Sequence, residues 1–414
     1  MSSPTIRAPR GTYDVLPDLA VLRAEVEQTA AELLEAAGYG RIETPAFEST
    51  ELFSRGVGQS TDIVQKEMYT FEDSGHRSLT LRPEGTAPVC RAYVEHGMHK
   101  LPAPVKLYYF SNFFRSEKPQ EGRYRQFWQV GAEVLGSHDP ATDAESIVLA
   151  HTLLDRLGAR GLRLRLASLG SPATRSAYTA DLKTHLRDKS DELSPQVRAR
   201  IDLNPLRAFD SDDPGTRRVM AGAPRLLDRL SPEDAEHFDE VKALLAAAGV
   251  PYEIDSTLVR GLDYYTRTLF EFSSDALGAQ SGVGGGGRYD GLVAQLGGPP
   301  TPGIGWAAGV ERILLSAGRQ PSPPVGVDLF VAYETDRRQA FQTMLDARHH
   351  GLRAQMELTG RSLKGQLKHA DRLGARFVAV VDDDGLQLRD PRSGTQEPVD
   401  SAQLIALLQA EVPS

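Results

Sequence analysis

The residues best suited to chemistry in this 414-residue chain lie in one stretch, SNFFRSEKPQEGRYRQFWQVGAEVLG, residues 111–136. Arg115, Arg123 and Arg125 bracket a charged loop, and strand alternation after the loop places Phe127 on the same face as Arg125. Guanidinium groups pair with phosphate oxygens through parallel hydrogen bonds, and an aromatic ring stacks on a base. The pattern therefore predicts a site for a nucleoside triphosphate at the mouth of a β-hairpin.

Alternation also sorts the rest of the second strand into two faces. Gln129, Gly131 and Glu133 share the face of Phe127, and Glu117 enters from the opposing side of the loop. The other face is apolar and is formed by Trp128, Val130, Ala132 and Val134. A solvated sheet face is the plain alternative, but such a surface gains nothing from an aromatic ring, an amide and a carboxylate in one row. We therefore expect the face of Phe127 to line a binding site.

A second group of candidates lies in LVRGLDYYTRTLFEF, residues 258–272, which predicts a strand, a turn and a second strand. Arg260 stands among apolar neighbours and close to Tyr264 and Tyr265. A buried guanidinium is costly unless it meets an anion. The anion is either a ligand or an internal carboxylate, and the sequence leaves both open.

Two further groups fall at predicted helix starts. Glu84 and Thr86 follow Pro83 in the stretch RPEGT, where capping of the helix explains a carboxylate and a hydroxyl as well as ligand binding does. Arg312 in AAGVERIL lies in the first turn of a helix, where the macrodipole disfavours a cation unless the cation meets an anion.

The usual phosphate-binding loops are not found. The sequence has no GxxxxGK[ST], and although Gly282, Gly284 and Gly287 satisfy GxGxxG, no buried parallel strand precedes them and Ala307 stands where an acid is required. We expect the glycine-rich stretch SGVGGGGRYDGLVAQLG, 281–297, to be a turn that enters a helix and allows close approach of a ligand.

The elements that carry these residues follow from hydrophobic spacing. Apolar residues recur every three or four positions from Pro17 to Gly38, which predicts an amphipathic helix. RIETPAF, 41–47, predicts a strand with Pro45 at an edge or an interface. The other predicted elements near the candidates are a strand ending near Arg82, a helix from about Gly85, the hairpin strands 105–114 and 125–136, and a strand followed by a helix over 303–318.

Composition changes along the chain indicate its division. Residues from about 170 to 250 are rich in leucine, alanine, arginine and aspartate at helical spacing, which predicts a mostly helical insertion. GRQPSPPVG, 318–326, is the predicted linker. Beyond it, strands and helices alternate over 327–414, as in an α/β domain.

Whole-chain properties limit the function further. A hydrophobic fraction of 40% and a charged fraction of 25% are typical of a soluble globular protein, and we expect neither a signal peptide nor a membrane span. A net charge of -9 argues against bulk attraction to nucleic acid, so any polyanion must be bound locally. Cys90 is the sole cysteine, which excludes an intramolecular disulfide and favours a cytoplasmic protein. His96 and His99 form an HxxH without further ligands, so we expect packing or surface histidines.

Seven stretches occur in an order that resembles the histidyl-tRNA synthetase family of class II aminoacyl-tRNA synthetases. They are RGTYDVLP, GYGRIETPAFE, LRPEGTA, FFRSEKPQEGRYRQFWQVGAEVLG, LVRGLDYYTRTLFEF, SGVGGGGRYDGL and GIGWAAGVERIL. The match spans nearly the whole chain, with the class II signatures around Pro45, Arg115 and Arg312. Ser111 and Asn112 replace the usual Gly-Pro, and GIGWAAGVER varies the more common FAxGxER; both departures bear on local packing only.

The resemblance implies a fold and a set of partners. The fold is α+β, with an antiparallel catalytic sheet flanked by helices in residues 1–320, the helical insertion, and a C-terminal α/β anticodon-binding domain in 327–414. The resemblance implies a cytoplasmic homodimer whose interface includes the Pro45 region. The expected substrates are L-histidine, ATP and histidine tRNA, with Mg²⁺ bridging the outer phosphates and no dedicated protein cage for a metal.

Roles in ATP binding are implied position by position. Arg115 is similar to the arginine that holds the α-phosphate, and Arg123 and Arg312 are expected on the outer phosphates. Phe127 is expected to stack on adenine, and Glu117 to contact its amino edge.

A histidine site is implied in the same way. Its expected residues are Glu84, Gly85, Thr86, Gln129, Glu133, Arg260, Tyr264 and Tyr265. Glu133 and Tyr265 are expected to contact the imidazole, while Glu84, Thr86 and Gln129 receive the α-amino group. Arg260 and Arg115 are the expected catalytic residues, because both stabilise charge that develops on the α-phosphate.

RNA contacts stay open at this level. The C-terminal helix near 362–373 presents Arg361, Lys364, Lys368 and Arg372 opposite Leu363, Leu367 and Ala370. Such a face is either solvated or RNA-binding. The loop 118–124 is expected near the acceptor end of the tRNA, as in relatives.

Three other functions compete with this interpretation. A synthetase-like regulatory subunit of ATP phosphoribosyltransferase keeps the fold without aminoacylation, but such paralogues generally lack the anticodon domain and the arginine of LVRGLDYY. A class II synthetase for another amino acid fits less well with Glu133, Tyr264 and Tyr265. Metal-dependent hydrolysis has no ligand set to support it.

Overall fold

The structure is a computed structural model that describes residues 5–58, 61–278, 281–321, 326–389 and 395–411. It comprises two compact units, Met1–Gln320 and Pro321–Ser414. Residues 322–325 of the predicted linker, 318–326, lie outside the described residues. Within the described part of the chain, no helix is both long and apolar enough to cross a lipid bilayer.

The first unit is built on an eight-stranded sheet. The strands of this unit are β1 Gly40–Arg41, β2 Phe47–Ser49, β3 Thr70–Glu72, β4 Ser78–Leu81, β5 Val105–Phe114, β6 Gln126–Leu135, β7 Leu162–Ser168, β8 Glu253–Ile254, β9 Thr266–Ser274, β10 Gly282–Arg288 and β11 Gly303–Gly309. The large sheet has the order β1-β5-β6-β11-β10-β9-β7-β8, and β2-β4-β3 form a small sheet. Inner strands are antiparallel, whereas β1 and β8 run parallel to their neighbours at the edges.

Helices cover both faces of the large sheet. They are α1 Pro17–Ala36, α2 Thr50–Gly56, α3 Thr86–Glu95, α4 Pro140–Arg156, α5 Pro172–Asp188, α6 Pro195–Arg198, α7 Pro214–Ala221, α8 Pro232–Ala247, α9 Leu292–Gln295 and α10 Val310–Ala317. The predicted α1 helix, the β5–β6 hairpin, the strand and helix over 303–318 and the mostly helical insertion are confirmed. One core includes Val130, Ala132 and Val134, and Phe127 packs against the core on the opposite face, as alternation predicts.

Strand β10 contradicts the predicted glycine turn over 281–297. Gly282–Arg288 runs through the sheet between β9 and β11, and a helix begins only at Leu292. A Cβ added to Gly286 would lie 2.0 Å from the carbonyl oxygen of Gly305, and one on Gly284 would lie 2.7 Å from the Cβ of Ala308. The neighbouring strands therefore leave no room for side chains, which is why a strand here consists of glycine.

Two predicted strands are only partly formed. Over 41–47 the ladder is interrupted, because the buried Arg82 side chain donates hydrogen bonds to this stretch. Its acceptors include the Thr44 hydroxyl oxygen at 3.2 Å and the Pro45 carbonyl oxygen at 3.3 Å. The first strand of the predicted strand–turn–strand over 258–272 does not form, and β9 begins at Thr266. The preceding backbone bonds to another loop instead, through Asp263 N and the Val57 carbonyl oxygen at 3.2 Å.

The second unit has its own five-stranded sheet. Its elements are β12 Leu329–Tyr333, α11 Arg337–His349, β13 Ala354–Met356, α12 Leu363–Arg372, β14 Phe377–Asp382, β15 Gly385–Arg389, β16 Gln396–Pro398 and α13 Ser401–Glu411. The first strands are parallel with helical crossovers, as predicted for an α/β domain, whereas β15 and β16 add antiparallel pairs in the order β13-β12-β14-β15-β16.

The basic face predicted on α12 is smaller than expected. Lys364, Lys368 and Arg372 are exposed on the helix. Arg361 precedes the helix and pairs with the fully buried Glu357 at 3.1 Å. The arginine is therefore committed to an internal carboxylate rather than to the helix face.

Candidate active site

One cavity of about 340 Å³ lies over the sheet in the first unit, between β6, β10, β11 and the loop that joins β5 to β6. Seven of the predicted site residues line it: Arg115, Glu117, Arg123, Phe127, Gln129, Arg260 and Arg312. They come from segments separated by up to 197 positions, 115 to 312, so the fold brings together what the sequence keeps apart. The cavity has the size and the mixed polar and apolar lining of a small-molecule site.

Five of the arginines that the structure describes line the cavity, and three of them, Arg115, Arg123 and Arg312, are those predicted to bind phosphates. The Arg115 Nε atom donates to the Pro83 carbonyl oxygen at 2.9 Å, which fixes the group 5.4 Å from the centroid of Phe127. Arg123 lies 3.7 Å from the Glu117 carboxylate. Burial and the charge of Arg123 lower the pKa of Arg312, whose Nε atom bonds to the Gly282 carbonyl oxygen. An arrangement of cations this close to an aromatic ring favours a polyanion that carries a planar base.

Arg125 departs from the prediction that three arginines converge on the mouth of the hairpin. Its Nε atom donates to the Glu117 carbonyl oxygen at 3.2 Å and its Nη1 atom to the Arg10 carbonyl oxygen at 3.3 Å. The side chain does not line the cavity and packs on Gly11 instead. Arg125 therefore holds the loop, while Arg312 supplies the third guanidinium.

Arg260 pairs with an internal carboxylate and also lines the cavity in which a ligand anion is expected. Its Nη1 atom donates to Glu271 Oε2 at 2.8 Å, and both side chains line the cavity. Burial raises the pKa of Glu271, but the charges of Arg260 and Arg165 outweigh this and leave the pKa below its usual value. An internal carboxylate thus aims Arg260, and the guanidinium still faces the cavity.

Glu271 was not among the predicted residues, although strand alternation on β9 could have identified it. On β9, Phe270 and Phe272 enter one core, whereas Leu269 packs in the other. Alternation therefore places Glu271 on the face of Leu269, where a lone carboxylate requires a partner. Arg207, Glu67 and Asp62 also line the cavity, and no comparable pattern identifies them.

The other residues that were predicted to bind the substrate histidine form a buried cluster that does not line the cavity. Glu84 accepts from Thr86 N at 2.7 Å and from Ala87 N at 2.9 Å, so the carboxylate caps α3. The Tyr264 hydroxyl donates to the same carboxylate at 3.4 Å. Capping is thus present, and the capping group belongs to a larger hydrogen-bonded cluster.

Glu133 is the most deeply placed of these groups, with no exposed surface. Its Oε1 atom accepts from the Thr86 hydroxyl at 2.8 Å, and its Oε2 atom accepts from the Tyr289 hydroxyl at 2.6 Å. Burial raises the pKa of Glu133 to about 8, although both hydroxyls favour the ionised form. Tyr289 was not among the predicted residues.

The glycine strand explains how the cluster approaches the cavity. A Cβ on Gly285 would lie 2.9 Å from Arg260 Nη1, and one on Gly287 would lie 2.9 Å from the Tyr265 ring. The rings of Tyr264 and Tyr265 are 4.8 Å apart. Bare backbone in β10 therefore lets Arg260 and the tyrosine pair lie directly over the sheet. Gly85 likewise leaves room for a neighbouring ring, since a Cβ there would lie 2.4 Å from the Tyr109 ring.

Metal-binding groups were sought among the described residues. None of their His, Cys, Asp and Glu side chains form a group of three or more that could hold an ion. His96 and His99 are exposed, and the His99 ring lies 6.3 Å from that of Tyr93.

Comparison with known proteins gives consistent matches. A family model described as Histidyl-tRNA synthetase matches residues 11–313, and one described as Anticodon binding domain matches 334–411. The chain is 47% identical over 412 residues to a histidine–tRNA ligase of Desulforamulus reducens, with 97% of this chain and 98% of the relative covered.

Solved structures agree with these matches. Apo S. aureus histidyl-tRNA synthetase has a TM-score of 0.80 at 36% identity and covers 98% of this chain and 99% of its own. A Bacillus halodurans protein described as an ATP phosphoribosyltransferase regulatory subunit/histidyl-tRNA synthetase has a TM-score of 0.67 at 21% identity, covering 92% and 99%. The second likeness concerns the fold alone.

Proposed function

The chain belongs to the histidyl-tRNA synthetase family, and from that premise we propose that it joins L-histidine to its tRNA at the expense of ATP. One observation carries the proposal: the residues assigned to ATP share a single cavity with Gln129 and Arg260, which are assigned to histidine. An amino acid and a nucleotide can meet in that cavity.

The first step forms histidyl-adenylate. The histidine carboxylate attacks the α-phosphorus in line, the bond to the outer phosphates breaks, and pyrophosphate leaves. Arg115 and Arg260 neutralise charge on the α-phosphate, and Arg123 and Arg312 hold the outer phosphates. Phe127 stacks on adenine, and Glu117 contacts its amino edge. Positioning and charge neutralisation suffice, so no covalent enzyme intermediate is needed.

Magnesium enters with ATP. Glu117 and Glu271 line the cavity and offer carboxylate oxygens, the ligands that Mg²⁺ prefers when substrate phosphates complete its coordination. The ion supplies charge neutralisation on the outer phosphates.

Histidine is selected beside Arg260. We assign Glu133 and Tyr265 to the imidazole, and Glu84, Thr86 and Gln129 to the α-amino group. Glu84, Thr86 and Glu133 belong to the hydrogen-bonded cluster, and an imidazole N–H adds a donor to Glu133 that a substrate without this group cannot supply. A site built around such a group rejects analogues that lack the donor by up to about 10⁴-fold.

The second step transfers histidine to a ribose hydroxyl at the tRNA end. The anticodon-binding family match over 334–411 supports tRNA contact by the second unit. Lys364, Lys368 and Arg372 on α12 are candidate RNA contacts, and loop 118–124 is a candidate contact to the acceptor end. We also assign the protein to the cytoplasm as a homodimer whose interface includes the Pro45 region.

Exchange of labelled pyrophosphate into ATP tests the proposal. We expect exchange that requires histidine, and we expect Arg260→His to lose adenylation far more than ATP binding. Exchange that is missing with histidine, or equal with other amino acids, contradicts the assignment. The regulatory-subunit alternative predicts no exchange at all, and Arg260 together with the second unit argues against it.

A further inference from the structure

The helical insertion touches the segment that carries the tyrosine pair. Arg175, on α5, donates from its Nη1 atom to the Asp263 carbonyl oxygen at 2.8 Å and to the Tyr265 carbonyl oxygen at 2.9 Å. The two carbonyls flank Tyr264. A single guanidinium nitrogen therefore bridges the backbone on both sides of that residue.

Other insertion residues hold the same region. Asn204 Nδ2 donates to the Asp263 side chain at 3.0 Å, and Arg200 Nη2 donates to Asp62 Oδ1 at 3.2 Å. Asp62 and Arg207, which follows Asn204 by three positions, both line the active-site cavity. The insertion therefore contacts the backbone beside the tyrosine pair and also residues that line the cavity.

The segment 257–265 lies before β9 and outside the sheet ladder, so contacts with other segments hold its backbone. Its chain direction determines where Tyr264 and Tyr265 stand relative to Glu84, Glu133 and Arg260. A change in the carbonyl positions of Asp263 and Tyr265 moves both rings together. Side-chain donors that fix these carbonyls therefore fix the tyrosine pair.

We propose that Arg175 is a positioning residue for histidine recognition: the insertion holds the 263–265 backbone through this guanidinium, which sets the tyrosine pair. The inference rests on the proposed function of the site. Arg175 does not line the active-site cavity, so it acts through the backbone and not on the substrate.

A guanidinium suits this task for a physical reason. Burial lowers the pKa of Arg175, with the charge of Asp263 opposing the shift, so the position disfavours a group that loses its proton easily. The side chain borders a second cavity of about 520 Å³, which is also lined by Asp263 and Tyr264. Removal of the guanidinium therefore takes a donor from both carbonyls at the border of an open space.

The test compares three variants in the full chain by pyrophosphate exchange. Arg175→Met removes both donors, Arg175→Lys keeps a charged donor on a shorter reach, and Arg187→Met is the control. Arg187 lies on the same helix and pairs with Asp202 on the exposed surface. KM for histidine, KM for ATP, kcat and thermal unfolding are measured for each.

We expect Arg175→Met to raise KM for histidine by roughly tenfold or more, since bonds from a charged donor are lost, while KM for ATP stays within about twofold. Arg175→Lys should restore part of the loss, and Arg187→Met should match the wild type. An unchanged KM for histidine, or parallel rises in both KM values with a lower melting temperature, overturns the positioning role. If Arg175→Met fails to fold, the lysine variant decides between these outcomes. Wild-type protein without histidine-dependent exchange would instead reject the proposed function.

Discussion

Replacement of Glu133 by glutamine tests the buried cluster through pH dependence. The wild-type carboxyl has no exposed surface, and burial raises its pKa to about 8 against the bonds from Tyr289 and Thr86. Glutamine keeps the shape and an acceptor for one hydroxyl but cannot ionise. We expect Glu133→Gln to remove a pH-dependent loss of stability that the wild-type protein carries.

The sign and size follow from linkage. The unfolded chain has an ordinary glutamate with a pKa of 4.5, so between this value and about 8 the folded state holds a proton that the unfolded state has released. Stability present at low pH is therefore lost as the pH rises through this window. At about 1.4 kcal/mol per pH unit, the wild type loses about 2–3 kcal/mol between about pH 6 and about pH 8 that the variant keeps. For a unit of this size, the melting temperatures diverge by about 4 °C.

Thermal unfolding followed by near-UV circular dichroism measures this difference from about pH 6 to about pH 9, the range set by the linkage window. Glu236→Gln, at an exposed position on α8, is the control, and its difference from the wild type should not change with pH. Above about pH 8, where the wild-type carboxyl is ionised, the same Glu133→Gln protein should show KM for histidine raised by roughly 10- to 100-fold, because a charged acceptor becomes neutral. A constant difference in melting temperature across the range would refute the raised pKa.

Three further changes probe the cavity. Glu271→Gln weakens the hold on Arg260 and should lower kcat for pyrophosphate exchange by about tenfold, with a smaller rise in KM for ATP; a rise in KM for ATP with kcat unchanged would contradict this. Gly305→Ala places a Cβ 1.7 Å from a carboxylate oxygen of the buried cluster and should cost about 1–3 kcal/mol in thermal unfolding, whereas Gly222→Ala, whose nearest neighbour is 3.9 Å away, should be nearly neutral. Phe127→Leu removes the stacking ring and should raise KM for ATP by about tenfold with KM for histidine little changed; an unaffected KM for ATP would remove the ring from the nucleotide site.

Local patterns predicted the parts of the fold that depend on local spacing. The α1 helix and the β5–β6 hairpin follow from apolar periodicity, and the two faces of β6 follow from alternation. The positions of Arg115, Arg123 and Phe127 at one cavity follow from the hairpin itself. These features need only a few neighbouring residues, so one sequence suffices to predict them.

Long-range packing explains what was missed. A glycine run has low strand propensity, and β10 forms through its ladders to β9 and β11, which leave no room for a Cβ at Gly284–Gly287. Arg125 was placed with the nucleotide arginines, but carbonyl oxygens at Arg10 and Glu117 bind it instead. Arg10 is 115 positions away in the chain, and spacing alone reveals neither this partner nor the backbone oxygen of Glu117.

The residues predicted to bind the substrate histidine were only partly recognisable from the sequence. Resemblance selected Glu84, Thr86 and Glu133, and the structure places their side chains in one hydrogen-bonded cluster with Tyr264. Tyr289, which donates to Glu133, lies two positions after the last residue of the glycine run and could be placed only once β10 was known to be a strand.

The glycine backbone that forms the floor of the cavity has a consequence for resistance to inhibitors of this enzyme. Gly282, Gly284 and Gly309 line the cavity, and at Gly284 any side chain would collide with the adjoining strand. An inhibitor that draws its affinity from the peptide groups of this floor contacts atoms that a codon change does not alter. Escape from such a compound must come from the cavity rim, where side chains can be exchanged, so resistance mutations should concentrate there.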